Sequence, residues 1–299
     1  MAEHYGAAVI TVAVIDSGPS SMAWKVTAGD GRVLCLKDHR LRPLVRLKGE
    51  HEFMQRLRER GFAFSPRIVT GTAGDTVMEY RDRTYSLYEF IPSDPAFNWT
   101  EGGWSREQAR SAGVALGVFH KAAEGWEALF GSADSGAERE WALAVLRRAS
   151  GLFPHDVMIS LSNFEDLLRG ARVVASDKQT HGVVHGDYHP GNVLFRGSQV
   201  VGVLDYEYCR YDSRWFDVAY ATMTFSFESM DPAFALAFLD GYAQEFERLD
   251  MLQLQPLVRL SAWLSAVWLI EQCQKGSAAH DHVLPALRKC MGIVSATLD

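Results

Sequence analysis

The chain has 299 residues, enough for one large domain or for two lobes with cores of their own. A hydrophobic content of 47% and a charged content of 22% are ordinary for a globular protein, and a formal net charge of −7 gives a nucleic-acid partner no support. The four cysteines (Cys35, Cys209, Cys273 and Cys290) lie far apart with no metal-ligand or redox spacing, so reduced thiols in a cytoplasmic protein are expected. No basic stretch precedes an apolar run at Met1–Gly6, which argues against a signal peptide. Leu260–Ile270, the most apolar helical segment, falls short of the roughly 20 residues a bilayer requires and reads as a core helix, so no membrane partner is expected.

The first ninety residues read as strands plus one helix. Ala7–Ile15 is a β-branched apolar run, and Trp24–Val26 and Arg32–Lys37 form a hairpin around Gly29-Asp30-Gly31. Lys48–Gly61 switches to helical period, with Phe53, Met54 and Leu57 on one face and Gly61 as the stop. Arg67–Gly71, Thr76–Tyr80 and Tyr85–Phe90 supply further short strands. After Pro92 the character changes. Ser93–Trp104 reads as a connector, and Ser105-Arg106-Glu107-Gln108 is a capping box opening a helix striped by Ala109, Ala112, Leu116, Phe119 and Ala123. Helical segments follow at Glu138–Ala149, Ser162–Ser176, Pro232–Leu249, Pro256–Gln274 and His282–Leu298, interrupted by a loop and hairpin around 183–206.

That interruption carries the chemistry. Val184-His185-Gly186-Asp187-Tyr188-His189-Pro190-Gly191-Asn192-Val193-Leu194-Phe195 is followed by Gly202-Val203-Leu204-Asp205. An Asp and an Asn stand five positions apart, and a second Asp ends an apolar run thirteen positions later, which is the spacing of a phosphoryl-transfer site. In that chemistry Asp187 orients the acceptor hydroxyl and takes its proton, while Asn192 and Asp205 offer hard oxygen ligands to Mg²⁺. Taken singly, Asp187 also suits an Asx turn and Asn192 a turn after Gly191. His185 and His189 flank Asp187, but the pattern fits no common zinc spacing.

The loop resembles that of the aminoglycoside phosphotransferase and choline kinase group of small-molecule kinases, which reads His-Gly-Asp-x-His-x-x-Asn; every fixed position matches. The resemblance implies an α+β, two-lobe protein-kinase-like fold: a β-rich nucleotide-binding lobe at 1–91, a connector at 92–104 and a helical lobe at 105–299. It implies Mg²⁺ with ATP or GTP as co-substrate, and a small-molecule hydroxyl acceptor. By the same resemblance Lys37 is the strand lysine at the nucleotide phosphates, although a snorkelling edge lysine would look alike. Glu52 is its helix partner, with Glu50 close enough to compete. Ser17, Gly18, Ser20 and Ser21 occupy the phosphate-covering loop, and Glu89 and Ile91 the hinge that meets the nucleobase. His185, His189 and Asp217 brace the loop.

The acceptor is less legible. Residues 206–299 hold 12 acids against 7 Lys and Arg, so −5 of the −7 lies there, which suits a cationic acceptor. Glu207, Tyr206, Glu228, Asp231 and Glu271 are candidates for acceptor contact, Glu207 also for a second metal, although acids on solvated helix faces look the same. Three readings follow: an antibiotic-modifying kinase or a metabolic kinase of an alcohol such as homoserine, choline or a sugar; a catalytically silent nucleotide-binding regulator; and a metal-dependent hydrolase built on the two histidines. The first is preferred, as a monomer or homodimer, with an antibiotic acceptor (aminoglycoside-like or another cationic natural product, giving resistance) expected ahead of a metabolic alcohol.

Overall fold

Alternating apolar strands and a glycine turn open the chain, and they close into one antiparallel sheet. The structure is a computed structural model describing residues 2–6, 8–16, 22–40, 42–130, 135–149, 151–154 and 164–296. A single turn, α1 (Ala2–Tyr5), precedes β1 (Val9–Asp16), β2 (Met22–Ala28) and β3 (Val33–Asp38); then come α2 (Leu44–Glu59), β4 (Met78–Tyr80) and β5 (Arg83–Glu89). The sheet order is β1-β2-β3-β5-β4, so β3 sits at its centre, with Lys37 opposite Ala23 on one side and Ser86 on the other. The expected strand over 67–71 is reduced to one bridge, Ile68 to Tyr88, continuing the β4 edge of β5.

A small core of Val26, Ala28, Leu34 and Leu87 lies under the sheet with Tyr5. Helix α2 belongs elsewhere. Its Phe53, Met54 and Leu57 join the large core of the helical part, and Phe53 meets Phe119 edge to face at 6.2 Å between ring centres. The sheet's one long helix is thus anchored by the opposite half of the molecule, which fixes its height above the catalytic loop.

The C-terminal part is helical: α3 (Arg106–Ala122), α4 (Ser135–Ala149), α5 (Phe164–Val174), α6 (Trp215–Ser226), α7 (Pro232–Glu245), α8 (Met251–Gln274) and α9 (His280–Ser295). Between α5 and α6 lie β6 (His181–Val184), β7 (Val193–Arg196), β8 (Gln199–Val203) and β9 (Arg210–Ser213), paired as β6 with β9 and β7 with β8. Ser105 caps α3 as its sequence suggests, with both bonds of the capping box present. Helix α8 starts at Met251 rather than Pro256, because a second capping box (Asp250 with Gln253) opens it a turn and a half earlier. Helix α6 carries no 3.6-residue stripe in the sequence, because it is apolar on nearly every side and buried at Asp217–Ala219 and Ala221–Phe225.

Helices α3 and α7 approach closely at two glycines. A Cβ on Gly113 would sit 2.0 Å from the Phe238 carbonyl oxygen, and one on Gly241 would sit 2.0 Å from that of Arg110. This crossing places His120 of α3 in the interior beside Asp217. Among the described residues no helix is long and apolar enough to cross a membrane.

Candidate active site

The loop between β6 and β7 is shaped by one buried carboxylate. Asp217, in the first turn of α6, accepts the backbone N–H of His185 at 2.6 Å and of Gly186 at 2.8 Å. His120 Nε2 donates to the same carboxylate at 3.1 Å, and the Tyr242 hydroxyl donates to His120 Nδ1 at 2.9 Å. Burial pushes the Asp217 carboxyl upward, but His120, then His185 and the Gly186 N–H outweigh it and hold it below the usual carboxylate range. Gly186 has φ +81°, and a Cβ there would meet the Tyr208 carbonyl at 2.3 Å, so the turn requires glycine.

His185 is wholly buried, and burial lowers its pKa, so it is neutral. Nε2–H donates to the Leu204 carbonyl at 3.0 Å, which leaves Nδ1 to accept the Asp187 N–H at 3.3 Å, a tautomer assigned from these partners. One imidazole therefore ties the loop to the residue before Asp205. His189 Nδ1 accepts the Gly191 N–H at 3.0 Å and caps the short turn Pro190–Asn192. With those nitrogens engaged, the pair has no zinc-like arrangement, and no group of three or more His, Cys, Asp or Glu among the described residues could hold a metal ion.

Asp187 stands in the open part of the loop, its side chain 27% exposed. The Asn192 amide donates to Asp187 Oδ2 and to its backbone oxygen, both at 2.9 Å, and His189 Nε2 lies 3.7 Å from Oδ2. Oδ1 faces the Tyr220 hydroxyl at 3.5 Å. Burial works upward on the carboxyl, but His189 and Asn192 prevail and depress its pKa, keeping Asp187 ionised at neutral pH. Since the amide nitrogen of Asn192 is the atom turned to Asp187, its oxygen points elsewhere.

The β7–β8 hairpin brings Asp205 back beside that loop, and Leu204 N–H donates to the Asn192 carbonyl at 2.8 Å. Asp205 sits in the left-handed region at φ 64°, ψ 73°. Its Oδ1 accepts from Lys37 Nζ at 3.2 Å, so the central strand and the hairpin meet there. Burial disfavours the Lys37 charge, but Asp205, then Glu50, then Glu207 outweigh it and raise its pKa. Asp205 and Asn192 both offer hard oxygen donors of the kind Mg²⁺ takes alongside phosphate oxygens, so the chemistry of the residues present fits that ion.

Several expectations are corrected. Glu52 is 54% exposed and bonds Arg56 one turn along α2 at 2.8 Å; the acid turned toward Lys37 is Glu50, whose Oε2 accepts from Arg42 Nη2 at 2.8 Å. Tyr206 is 3% exposed among the rings of His185 and Phe119, so it is core and not an acceptor contact. Asp231 caps α7 through the Ala233 N–H, and Glu271 pairs with Lys275 at 3.0 Å, each a local helix role. The Glu228 side chain lies against Gly102. Glu207 lies 3.5 Å from Arg42 Nε. At the hinge, Glu89 is exposed beside Arg67, whereas Ile91 packs over Gly202, where a Cβ would come within 2.9 Å of its Cδ1. Ser17, Gly18, Ser20 and Ser21 lie outside the described residues.

Two members escaped the sequence reading. His120 sits on the apolar stripe of α3 with no pattern to distinguish it from a core histidine. Arg42 lies in a basic stretch, Arg40 to Arg46, that reads as solvated, yet its side chain is 17% exposed.

The homoserine kinase of Bradyrhizobium sp. (strain ORS 278) is 28% identical over 218 residues, covering 63% of this chain and 62% of that protein. The homoserine kinase of Methylobacillus flagellatus is 25% identical over 236 residues, 76% of this chain and 68% of the relative. The chain spans 62% of the first of these relatives and about half of several others. Among solved structures, an amicoumacin kinase in complex with AMP-PNP, Ca²⁺ and Ami superposes with TM-score 0.75 at 19% identity, covering 98% of this chain and 90% of that one. A spectinomycin phosphotransferase with ADP and its antibiotic gives 0.74 at 14% identity over 99% and 95%, and a microcompartment-associated aminopropanol kinase gives 0.73 at 20% over 95% and 90%. At these identities the likeness establishes the fold, a protein-kinase-like one with a β-sheet N-terminal part and a helical C-terminal part. Residues 11–252, the span that holds every site residue from Lys37 to Asp217, match the sequence model of the phosphotransferase enzyme family, and the chain belongs to that family.

Proposed function

We propose that this protein transfers the γ-phosphoryl group of Mg-ATP to the hydroxyl of a small amine-bearing alcohol. The observation that carries the reading is the meeting of Asp187, Asn192, Asp205 and Lys37: an ionised carboxylate on an open loop, two oxygen ligands beside it, and a lysine linked to one of them. Phosphoryl transfer has a loose transition state, so positioning and charge are what a protein contributes. Asp187 orients the acceptor hydroxyl and takes its proton at Oδ1 as the acceptor oxygen bonds to phosphorus and the bond to the β-phosphate oxygen breaks, releasing ADP. Asn192 and Asp205 would hold Mg²⁺, which when bound would neutralise charge on the phosphate oxygens. Lys37 serves the α- and β-phosphates, and the backbone around Glu89–Ile91 faces the base.

Support for the acceptor class comes from the relatives. Homoserine and aminopropanol each carry an ammonium group and a primary or secondary hydroxyl, and homoserine a carboxylate as well, so an amine-bearing alcohol is the class they share. Antibiotic acceptors form the second reading, supported by likeness to the amicoumacin and spectinomycin kinases. The test is Mg²⁺-dependent phosphorylation followed by product mass, with ATP and GTP, against homoserine, aminopropanol, choline, spectinomycin and aminoglycosides. Phosphate gained by an amino alcohol and not by the antibiotics supports the first reading; the reverse pattern replaces it with the second. Nucleotide binding without transfer to any of them favours the silent regulator, and absence of Mg-nucleotide binding rejects the assignment.

A further inference from the structure

Arg42 stands in the connection between β3 and α2, outside every motif of the loop. Its Nη2 is 2.8 Å from Glu50 Oε2 and its Nε is 3.5 Å from Glu207 Oε1. One guanidinium therefore ties helix α2 to the turn that follows Asp205. Beside it, Lys37 bonds Asp205 and feels the charges of Glu50 and Glu207. Lys37, Arg42, Glu50, Asp205 and Glu207 together make two positive groups against three negative ones.

That balance has a consequence for a polyanionic substrate. With Arg42 in place, Glu50 and Glu207 share one guanidinium, the cluster carries one excess negative charge, and Lys37 keeps Asp205 as its own partner. Without it, Lys37 alone would face three carboxylates. The two partnerless acids would draw its ammonium away from the phosphates and would repel a triphosphate directly. A guanidinium suits the task because two edges of its planar fork reach two carboxylates at once, which a lysine ammonium cannot match.

We propose that Arg42 is a positioning residue of the phosphate site, one that holds Glu50 and Glu207 so that Lys37 and Asp205 remain available to the nucleotide and its metal. The inference rests on the phosphotransferase reading of that site. It assigns Glu207 to the charge balance of the nucleotide rather than to the acceptor.

The test compares Mg-ATP binding, KM for ATP and kcat in the wild type, Arg42→Met, Arg42→Lys, Glu207→Gln and the double variant Arg42→Met/Glu207→Gln. Arg42→Met should raise KM for ATP about tenfold or more with a smaller change in kcat, and Arg42→Lys should fall between it and the wild type. The double variant should bind ATP better than Arg42→Met, because deleting one carboxylate restores the balance; a packing role would not be relieved that way. Arg42→Met within about twofold of wild type, or single effects that simply multiply in the double variant, overturns the proposal. Should Arg42→Met fail to fold, Arg42→Lys decides: an unchanged KM for ATP overturns it, and a rise supports it. A wild-type protein that binds no Mg-ATP overturns the phosphotransferase reading itself, and that measurement comes first.

Discussion

His120 and Asp217 meet at 3.1 Å in the interior, each essentially inaccessible to solvent, and their contact links helix α3 to the catalytic loop. Because the same carboxylate also receives the N–H groups of His185 and Gly186, it is the common acceptor for three donors that reach no water. Asp217→Asn replaces one acceptor oxygen with an amide that points hydrogens at a donor. The expected loss of stability is about 2–4 kcal/mol, read as a lower denaturation midpoint with unchanged slope. Phosphoryl transfer should fall with it, since the turn at Gly186 loses its anchor.

The depressed pKa of Asp217 also sets the sign of an acid effect. Its folded-state value lies below that of an ordinary aspartate, so the unfolded chain takes up the proton first as pH falls. Its stabilising contribution is complete above the ordinary carboxylate range and drains away as pH drops below 3.8 toward the folded value. Asp187 adds a slope of the same sign. Stability measured from pH 6 downward should therefore fall less steeply in Asp217→Asn than in the wild type below about pH 4. Parallel curves would reject the linkage.

What the sequence disclosed and what it withheld divide along physical lines. Asp187, Asn192 and Asp205 were legible because a loop and a short hairpin fix their separation in the chain. Lys37 was legible as the end of an alternating strand. Glu50 and Glu52 both lie on α2, and only the roll of the helix against the large core decides which one turns inward; Phe53, Met54 and Leu57 bury one face, and that leaves Glu52 in solvent. Arg42 and His120 act through partners far off in sequence, Glu207 and Asp217, that no local pattern connects. Helix α6 shows no helical stripe because nearly all of its faces are apolar and buried.

Asp187 itself gives a direct prediction. Asp187→Ala removes the group that takes the acceptor proton but leaves Lys37 and Asp205 joined, so kcat should fall by about 10²–10⁴ while Mg-ATP affinity changes only a few-fold. Titration calorimetry beside steady-state rates separates the two. Near-normal turnover in this variant would sink the assignment.

The choice between the two acids of α2 can be tested by removing each charge. Glu50→Gln takes away the Arg42 partner and one of the carboxylates that hold up the Lys37 pKa, so ATP affinity and KM should shift. Glu52→Gln loses only an exposed pair with Arg56, worth about 0.3–0.5 kcal/mol, and should leave kinetics at the wild-type value. Equal effects of the two substitutions would show that the roll of α2 is wrong.

Two glycine substitutions of identical chemistry should have opposite signs. In a helix interior, alanine in place of glycine normally stabilises by about 0.5–1 kcal/mol. Gly49 of α2 has nothing within 4 Å of a Cβ, so Gly49→Ala should raise the melting temperature. Gly113 of α3 would place its Cβ 2.0 Å from the Phe238 carbonyl and 2.8 Å from the Tyr242 nitrogen, backbone atoms that cannot rotate aside. Gly113→Ala must push α3 from α7, at a cost of about 1–3 kcal/mol or more. The same shift moves His120, about two turns further along α3, away from Asp217. Activity should therefore decline in Gly113→Ala beyond the loss of folded protein, and a Gly113→Ala variant as stable and as active as the wild type would refute the close crossing.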